Sequence, residues 1–462
     1  MKVTIIGGGI SGLYACLELA THGYTVDVYE QHATFGGRIK TKYDKTHKHV
    51  LYETGPWRIH PSHHRVLKLI QRMNLKVETV SLQPHWKNFP KKQPQIRNVP
   101  NMSELSLTVY QDLCRKQSLD AVNTDMQKTG YDMILQEAYR PRHPFIENDE
   151  KYFVVQDGFT SLVEAIVHKL ESMPNVHLYS NHRITEILRK KSMYEIKLEK
   201  RTGHNDYESK KTNASCIFLA LPPTDLEKLT SLSLHPNISS VGSFPLLHTY
   251  ARSSKMGKEF GKYICNSPIS QIISTCFQNN WFQISYTGGR LAMMFHNLYL
   301  SSKKKWNHYI RHEFYKYFPK SISIEEIQPH FWRHAIHYWH PNFKTTASKL
   351  SVKNIQPHPQ KYPNLYIIGE SISTIQGWIE GALETTDIAL SLLKQKNQPL
   401  LKFPKEYVIY DKRVLDVEEW KMVHPGSREA IENHMGEDIT NLWNEFHPHS
   451  ASKYLLSLEV RR

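Results

Sequence analysis

Short apolar runs alternate with amphipathic stretches from the first residue of this chain. Met1 to Ile6 (MKVTII) ends apolar, as a buried parallel strand does. A glycine-rich turn follows, then an apolar-periodic helix (LYACLELATHG) closed by Gly23, then a second strand, Thr25 to Tyr29. Arg65 to Leu75 has the spacing of an amphipathic helix. The pattern restarts near Gly158 with a helix (LVEAIVHKLES), a strand at Val176 to Tyr179 and another beginning at Ile184. Cys216 to Ala220 and Asn364 to Ile368 read as buried strands, and Trp378 to Leu393 as a final helix. Between these pieces lie a polar, His-rich loop or hairpin at Tyr43 to Val50 and a Pro-, Lys- and Gln-rich excursion from Gln83 to Asn101. Tyr407 to Val417 reads as two short strands around Asp411-Lys412.

Composition narrows the class. Of 462 residues 40% are hydrophobic, and 25 Tyr and 9 Trp can fill large cores. Lys and Arg exceed Asp and Glu by 59 − 44 = 15. The basic residues are spread out, with short clusters at Lys91-Lys92, Arg189 to Lys191 and Lys303 to Lys305, none long enough for a nucleic-acid arm. A solvated basic surface is the simpler reading, and no nucleic-acid site is expected. The five cysteines, Cys16, Cys114, Cys216, Cys265 and Cys276, include no Cys-x-x-Cys spacing. That fits a reducing compartment. No apolar run approaches the roughly 20 residues of a membrane span. The chain starts on a core strand, so no cleavable signal is expected and the location reads as cytoplasmic.

Gly7-Gly8-Gly9-Ile10-Ser11-Gly12 supplies the candidate chemistry. It lies between a strand and a helix, the setting a dinucleotide fingerprint requires. Gly7 permits the turn, Gly9 lets backbone approach a diphosphate, and Gly12 lets helix pack on strand. The diphosphate then meets free N–H groups at the positive end of the helix. Glu30 ends the second strand and can accept the ribose hydroxyls of an adenosine.

Further along, Gly36-Gly37-Arg38, then Glu53-Thr54-Gly55-Pro56-Trp57-Arg58, then Asp157-Gly158-Phe159, Leu221-Pro222-Pro223, Gly369-Glu370 and Gly377-Trp378-Ile379-Glu380-Gly381-Ala382 resemble the motifs of the flavin-containing amine oxidase family. The resemblance runs over most of residues 1–395, is thin in the middle, and implies FAD rather than NAD. It implies that Arg38 beside Gly37 meets the diphosphate, and that Gly55, Pro56 and Trp57 run beside the flavin ring. It also implies that Ile184 offers backbone to the adenine, and that Gly369, Glu370, Trp378 and Ile379 lie at the isoalloxazine. By the same resemblance His248 stands where the family often has a Lys near flavin N5. Trp378 is one wall of an aromatic cage, with Tyr338 or Trp339 as its partner or as core packing. No family-type Cys precedes Trp378, so the flavin is expected to be non-covalent. The wording Glu53-Thr54-Gly55-Pro56 also resembles protoporphyrinogen oxidase-like members.

The last sixty residues resemble a cytochrome b5 haem-binding domain, on Trp420, Val423-His424-Pro425-Gly426, Gly436 to Thr440 and Phe446-His447-Pro448-His449-Ser450. The resemblance implies axial ligands His424 and His449, with His447 competing by position, and a haem b. Ser427 stands where a Gly is usual. His60, His63 and His64 have ligand-like spacing but sit beside the flavin motif, and are not read as a zinc site.

The expected fold is therefore α/β. It comprises a three-piece Rossmann-like FAD-binding domain (1–80, 155–240 and 355–398), an inserted α+β substrate domain (81–154 and 241–354), and a small α+β cytochrome b5-like domain (403–462). The expected activity is oxidation of a small molecule, an amine by preference, through hydride transfer to FAD. Oxygen or the tethered haem then takes the electrons. Rival readings are a desaturase or porphyrinogen-type oxidase acting on a larger apolar substrate, and a non-catalytic flavin-binding protein.

Overall fold

The computed structural model describes residues 2–46, 49–81, 84–87, 151–204, 206–229, 241–255, 261–265, 267–274, 280–339, 347–397, 407–411, 413–417, 420–422, 424, 429–435, 437–447, 451, 455–456 and 458. The chain divides into two compact units, Met1–Leu393 and Lys394–Arg462.

The first unit is built on a five-stranded parallel sheet in the order Leu365–Ile367, Ile217–Leu219, Lys2–Ile6, Thr25–Tyr29, Val176–Tyr179. Four of its strands are buried over most of their length, which is why they read as short, mainly apolar runs, while the edge strand Val176–Tyr179 is only half-buried. The helix Ile10–Thr21 connects the first two strands and packs Leu13, Cys16 and Leu17 into the core. Gly7 has φ of +104°, and a Cβ there would meet the Ala220 carbonyl at 2.4 Å. A Cβ on Gly12 would sit 2.0 Å from the Gly7 carbonyl, so only glycine allows this close crossing. The chain returns to this sheet from three separated stretches, which makes it the expected α/β, Rossmann-like fold.

Two further sheets were not foreseen in full. Strands Tyr207–Ala214, Met193–Arg201 and His182–Lys190 form an antiparallel ribbon whose alternating exposed polar residues hide its strand character. A six-stranded sheet runs in the order Glu326–Trp339, Val241–Arg252, Trp281–Gly288, Gln271–Ser274, Lys262–Cys265, Pro84–Lys87. Helices Gly289–Ser301 and Lys303–Phe314 follow its strand Trp281–Gly288, and their Phe295, Trp306, Ile310 and Phe314 fill a second core. The His-rich stretch near Tyr43 is a hairpin, Thr41–Tyr43 paired with Val50–Glu53.

The second unit has the hairpin Tyr407–Tyr410/Arg413–Asp416, turned at Asp411 with φ of +47°, and short helices Glu429–Glu432 and Thr440–Phe446. Its core is Val408, Tyr410, Leu415, Val417, Trp420, Ile431, Ile439, Trp443 and Leu455. The Ile409 N–H donates to the Glu437 carbonyl at 2.8 Å, and the Ile439 N–H to the Ile409 carbonyl at 2.7 Å, tying the hairpin to the second helix.

Glu53 joins pieces of the first unit. Its buried carboxylate accepts the Phe159 N–H at 2.7 Å and the Thr41 hydroxyl at 2.9 Å. Burial outweighs both bonds and pushes its pKa up to about 7. An acid raised in the folded state destabilises the fold as pH climbs from the ordinary 4.5 to 7, after which the penalty is constant, about 3 kcal/mol. Glu53→Gln keeps the shape without the titration. Thermal unfolding should show the variant gaining on the native chain between pH 5 and pH 8; an equal difference at both would refute the buried, raised carboxyl.

Candidate active site

Three stretches converge around one buried carboxylate. Glu370 accepts from Arg38 at 2.7 Å, from His337 Nδ1 at 2.5 Å and, on its other oxygen, from the Gly377 N–H at 2.9 Å. Burial opposes the charge, but Arg38, His337 and the Gly377 N–H hold this carboxyl well below the usual range. Arg38 also donates to the Ala335 carbonyl at 2.7 Å. Gly55 crosses directly over this arginine: a Cβ there would lie 1.9 Å from the Arg38 carbonyl. The next residues, Pro56 and Trp57, lead on from that crossing.

The nucleotide end is equally defined. Glu30 accepts the Gly8 N–H at 2.8 Å and the His32 N–H and ring at 2.9 and 2.7 Å. Burial raises its pKa, and the His32 and Gly8 bonds more than reverse that. The loop at Gly36 bridges to Gly9, and a Cβ built on Gly37 would lie 3.4 Å from the Gly9 Cα. Ile10 and Ser11 start the helix and are buried. Ile184 opens the antiparallel ribbon opposite Leu198.

An FAD fits what these residues leave open. A Cβ built on Gly9 or on Gly369 meets nothing within 4 Å, whereas Cβ atoms on Gly7, Gly8, Gly12, Gly55 and Gly381 would collide. The open glycines thus border free space at a helix N-terminus and at the turn before Glu370, on a frame otherwise closed. Ile379 begins the last helix, Ile379–Asn397.

Beside this lies an aromatic cluster. Trp378, Tyr152 and Ile273 are buried together, with Trp57, Val80, Tyr286 and Ile375 against them. His63 meets Trp378 edge to face at 4.6 Å. Arg58 sits over the rings of Trp57 at 5.1 Å and Tyr152 at 4.6 Å. His248 meets Tyr286 at 4.9 Å and bonds the Glu53 backbone; among the described residues nothing bonds its Nδ1. Burial, with lesser contributions from His330 and Arg58, brings its pKa down to about 3, so this imidazole is neutral at physiological pH.

The structure does not bring Tyr338 and Trp339 to Trp378. Trp339 belongs to the core of the parallel sheet and donates its indole N–H to the Ser373 carbonyl at 3.1 Å. Tyr338 lays its ring against Gly242 on the neighbouring strand. Trp57, Tyr152 and Tyr286 are the rings that share the Trp378 cluster. Sequence reasoning gave Arg58 no role, although it closes the motif that begins at Glu53.

In the second unit His424 and His447 come together, with ring centroids 5.9 Å apart. His449 lies outside the described residues. Among the described residues no group of three or more His, Cys, Asp or Glu is placed to hold a metal, and no helix is long and apolar enough to cross a membrane.

The model for flavin-containing amine oxidoreductases matches residues 10–101 and 121–389, most of the chain. The chain belongs to this family. Residues 391–462 match the cytochrome b5-like haem/steroid binding domain. The family is one of flavin-containing oxidoreductases. An L-amino-acid oxidase of Crotalus adamanteus is 33% identical over 108 residues, 22% of this chain and 20% of that one. The match thus spans only about a fifth of that relative's length. An uncharacterised protein of Acanthamoeba polyphaga mimivirus is 22% identical over 84% of this chain and 92% of its own. A putrescine oxidase variant redesigned in cofactor binding superimposes with a TM-score of 0.64 at 15% identity, covering 85% of this chain and 99% of that one. This last likeness shows the fold.

The cradle makes a paired prediction. Gly12→Ala should lower the melting temperature of the FAD-free protein markedly, because its Cβ has no room. Gly9→Ala, at a φ of −72° that any residue adopts, should change that stability by less than about 1 kcal/mol. It should weaken FAD binding at least tenfold by filling the approach path. Titration with FAD and thermal unfolding separate the two; full FAD affinity in Gly9→Ala would move the cradle elsewhere.

Proposed function

We propose that this chain oxidises a small amine that also carries a carboxylate, an amino-acid-like substrate. The observation behind this reading is Arg58, a permanent cation held over two aromatic faces in the same cluster as Trp378. A guanidinium in such low-dielectric surroundings pairs with a carboxylate through two parallel, charge-assisted bonds. The L-amino-acid oxidases among the relatives are named for substrates of that kind.

The remaining residues take roles around that anchor. Bound FAD would supply the hydride acceptor, with Gly9, Arg38 and Glu370 among the residues that hold it. Trp378, Trp57, Tyr152 and Tyr286 exclude water, and an apolar enclosure lowers the pKa of an entering ammonium towards the neutral amine that can be oxidised. His248 adds no second positive charge to repel it, because it is neutral. Anchoring the carboxylate at one end fixes the Cα–H of the substrate in one orientation, which shortens the search for a reactive geometry.

Anaerobic bleaching of the flavin colour by a panel of substrates tests the proposal. Amino acids should bleach it, and putrescine and simple monoamines should do so far more slowly. Arg58→Leu should weaken amino-acid binding by about 10- to 100-fold, the worth of one or two charged hydrogen bonds, while FAD stays bound. Equal bleaching by monoamines, or an Arg58→Leu protein unchanged towards amino acids, would refute the carboxylate anchor.

A further inference from the structure

The hydrogen bonding of His248 is complete on one ring nitrogen and open on the other. We propose that His248 Nδ1 accepts a hydrogen bond from the substrate nitrogen, so that His248 is the amine contact beside the carboxylate contact of Arg58. The proposal rests on the amino-acid reading above and names the atom that meets the amine.

The tautomer is the first support. His248 bonds the Glu53 carbonyl, and among the described residues nothing bonds its Nδ1, so that bond belongs to Nε2. A carbonyl only accepts, which places the imidazole proton on Nε2 and leaves Nδ1 a bare lone pair. The same carbonyl takes the Tyr250 hydroxyl at 2.6 Å, and Tyr250 stacks on Tyr52 at 4.1 Å and 11°. His248 and Tyr250, two residues apart on one strand, thus fasten one carbonyl, and the ring cannot flip without losing its bond.

Energetics are the second. His248 is only 4% exposed, and its open acceptor is cut off from solvent. Buried polar atoms are nearly always paired, and a bare one is costly. A donor brought in by a ligand is therefore favoured at Nδ1.

Location is the third. The His248 ring meets Tyr286 edge to face at 4.9 Å and 86°, and Tyr286 packs in the Trp378 cluster. Arg58 is near enough to act electrostatically on both His248 and Tyr286. One cluster thus offers a cation for a carboxylate and a lone pair for an amine. In an α-amino acid both groups hang from the carbon that is oxidised.

The contact also suits the chemistry. As hydride leaves Cα for the flavin, the nitrogen lone pair forms the C=N bond and the nitrogen turns positive, keeping its N–H. A neutral acceptor on that N–H stabilises the charge as it develops, more in the transition state than before it.

The test uses the full chain loaded with FAD, with leucine as substrate and isocaproate, the same skeleton without nitrogen, as ligand. Both are followed by flavin absorbance. In His248→Gln the amide nitrogen can replace Nε2 on the Glu53 carbonyl, but no acceptor stands at Nδ1. In His248→Asn the amide oxygen stands at Nδ1, but the Glu53 bond is lost. Anaerobic reduction by leucine should be about 10- to 100-fold slower in His248→Gln, the worth of one charge-assisted bond. FAD and isocaproate should bind it as they bind the native protein. His248→Asn should be reduced at least about tenfold faster than His248→Gln. The reverse order, or lost isocaproate binding in His248→Gln, would show a merely structural hold on Glu53 and overturn the proposal. So would native-rate reduction of His248→Gln. If the native protein ignores isocaproate, the carboxylate anchor fails separately, and the same two variants decide on whichever monoamine bleaches fastest. Bleaching by no amine overturns both readings.

Discussion

The first unit turns on the charge of Glu370. A carboxylate this deeply buried is strongly disfavoured by desolvation unless its lone pairs are occupied by donors, preferably charged ones. Here Arg38, His337 and the Gly377 N–H occupy them. Those donors come from the loop after the second strand, from the edge strand Glu326–Trp339 of the six-stranded sheet, and from the turn before the last helix. The glycine cradle, the inserted sheet and the final helix therefore all meet at this one group. Removing any one donor would leave the others facing an under-solvated charge, so the pieces stand or fall together.

A second carboxylate extends the same logic to the aromatic cluster. Glu380, buried in the first turn of the last helix, accepts the Val66 N–H at 3.0 Å and the Arg65 N–H at 3.2 Å. It thus caps the helix His64–Arg72, whose own N-cap residue offers no side-chain bond. Arg65 reaches on to Asp387 at 2.9 Å, which also takes the Tyr14 hydroxyl at 2.9 Å. The segment Trp57 to His63 immediately precedes that capped helix, and Trp378 immediately precedes the capping one. The contact between His63 and Trp378 follows from where Glu380 points. The motif from Gly377 to Ala382 therefore carries part of the aromatic cluster as well as the turn that bonds Glu370.

What the sequence disclosed follows from which constraints are local. The cradle was legible because Gly7, Gly8 and Gly12 each answer to a clash with a nearby residue or one adjacent strand, and Glu30 follows at a fixed strand length. The central parallel strands were legible because burial on both faces leaves them mainly apolar. The pocket was not. Its walls come from Trp57, Tyr152, Tyr286 and Trp378, which no periodicity links. Tyr338 and Trp339 are successive residues of one strand, so their side chains leave opposite faces and at most one could have met Trp378. The antiparallel register sets Val241 against Trp339 and Gly242 against Tyr338, and it directs Trp339 into the main core and Tyr338 onto the bare glycine. That register depends on pairing between strands almost a hundred residues apart, which no local pattern encodes. Arg58 escaped notice for a related reason: its character comes from Tyr152, a distant residue, as much as from its neighbour Trp57.

The two units reach their binding geometries by opposite means. In the first, open space is made by leaving side chains out: Gly9 and Gly369 border it at a helix start and a turn. The second has only some seventy residues, and small domains bury too little surface to hold loose loops in place. There the orienting groups are the bulkiest in its core, Trp420 and Trp443, each in contact with one imidazole. Stacked or edge-packed indoles hold a ring with few rotatable bonds and no polar cost, so order at His424 and His447 is inherited from hydrophobic packing. Hydrophobic packing orders that unit, whereas in the first the hydrogen bonds of the buried Glu370 and Glu380 carboxyl groups do the equivalent work.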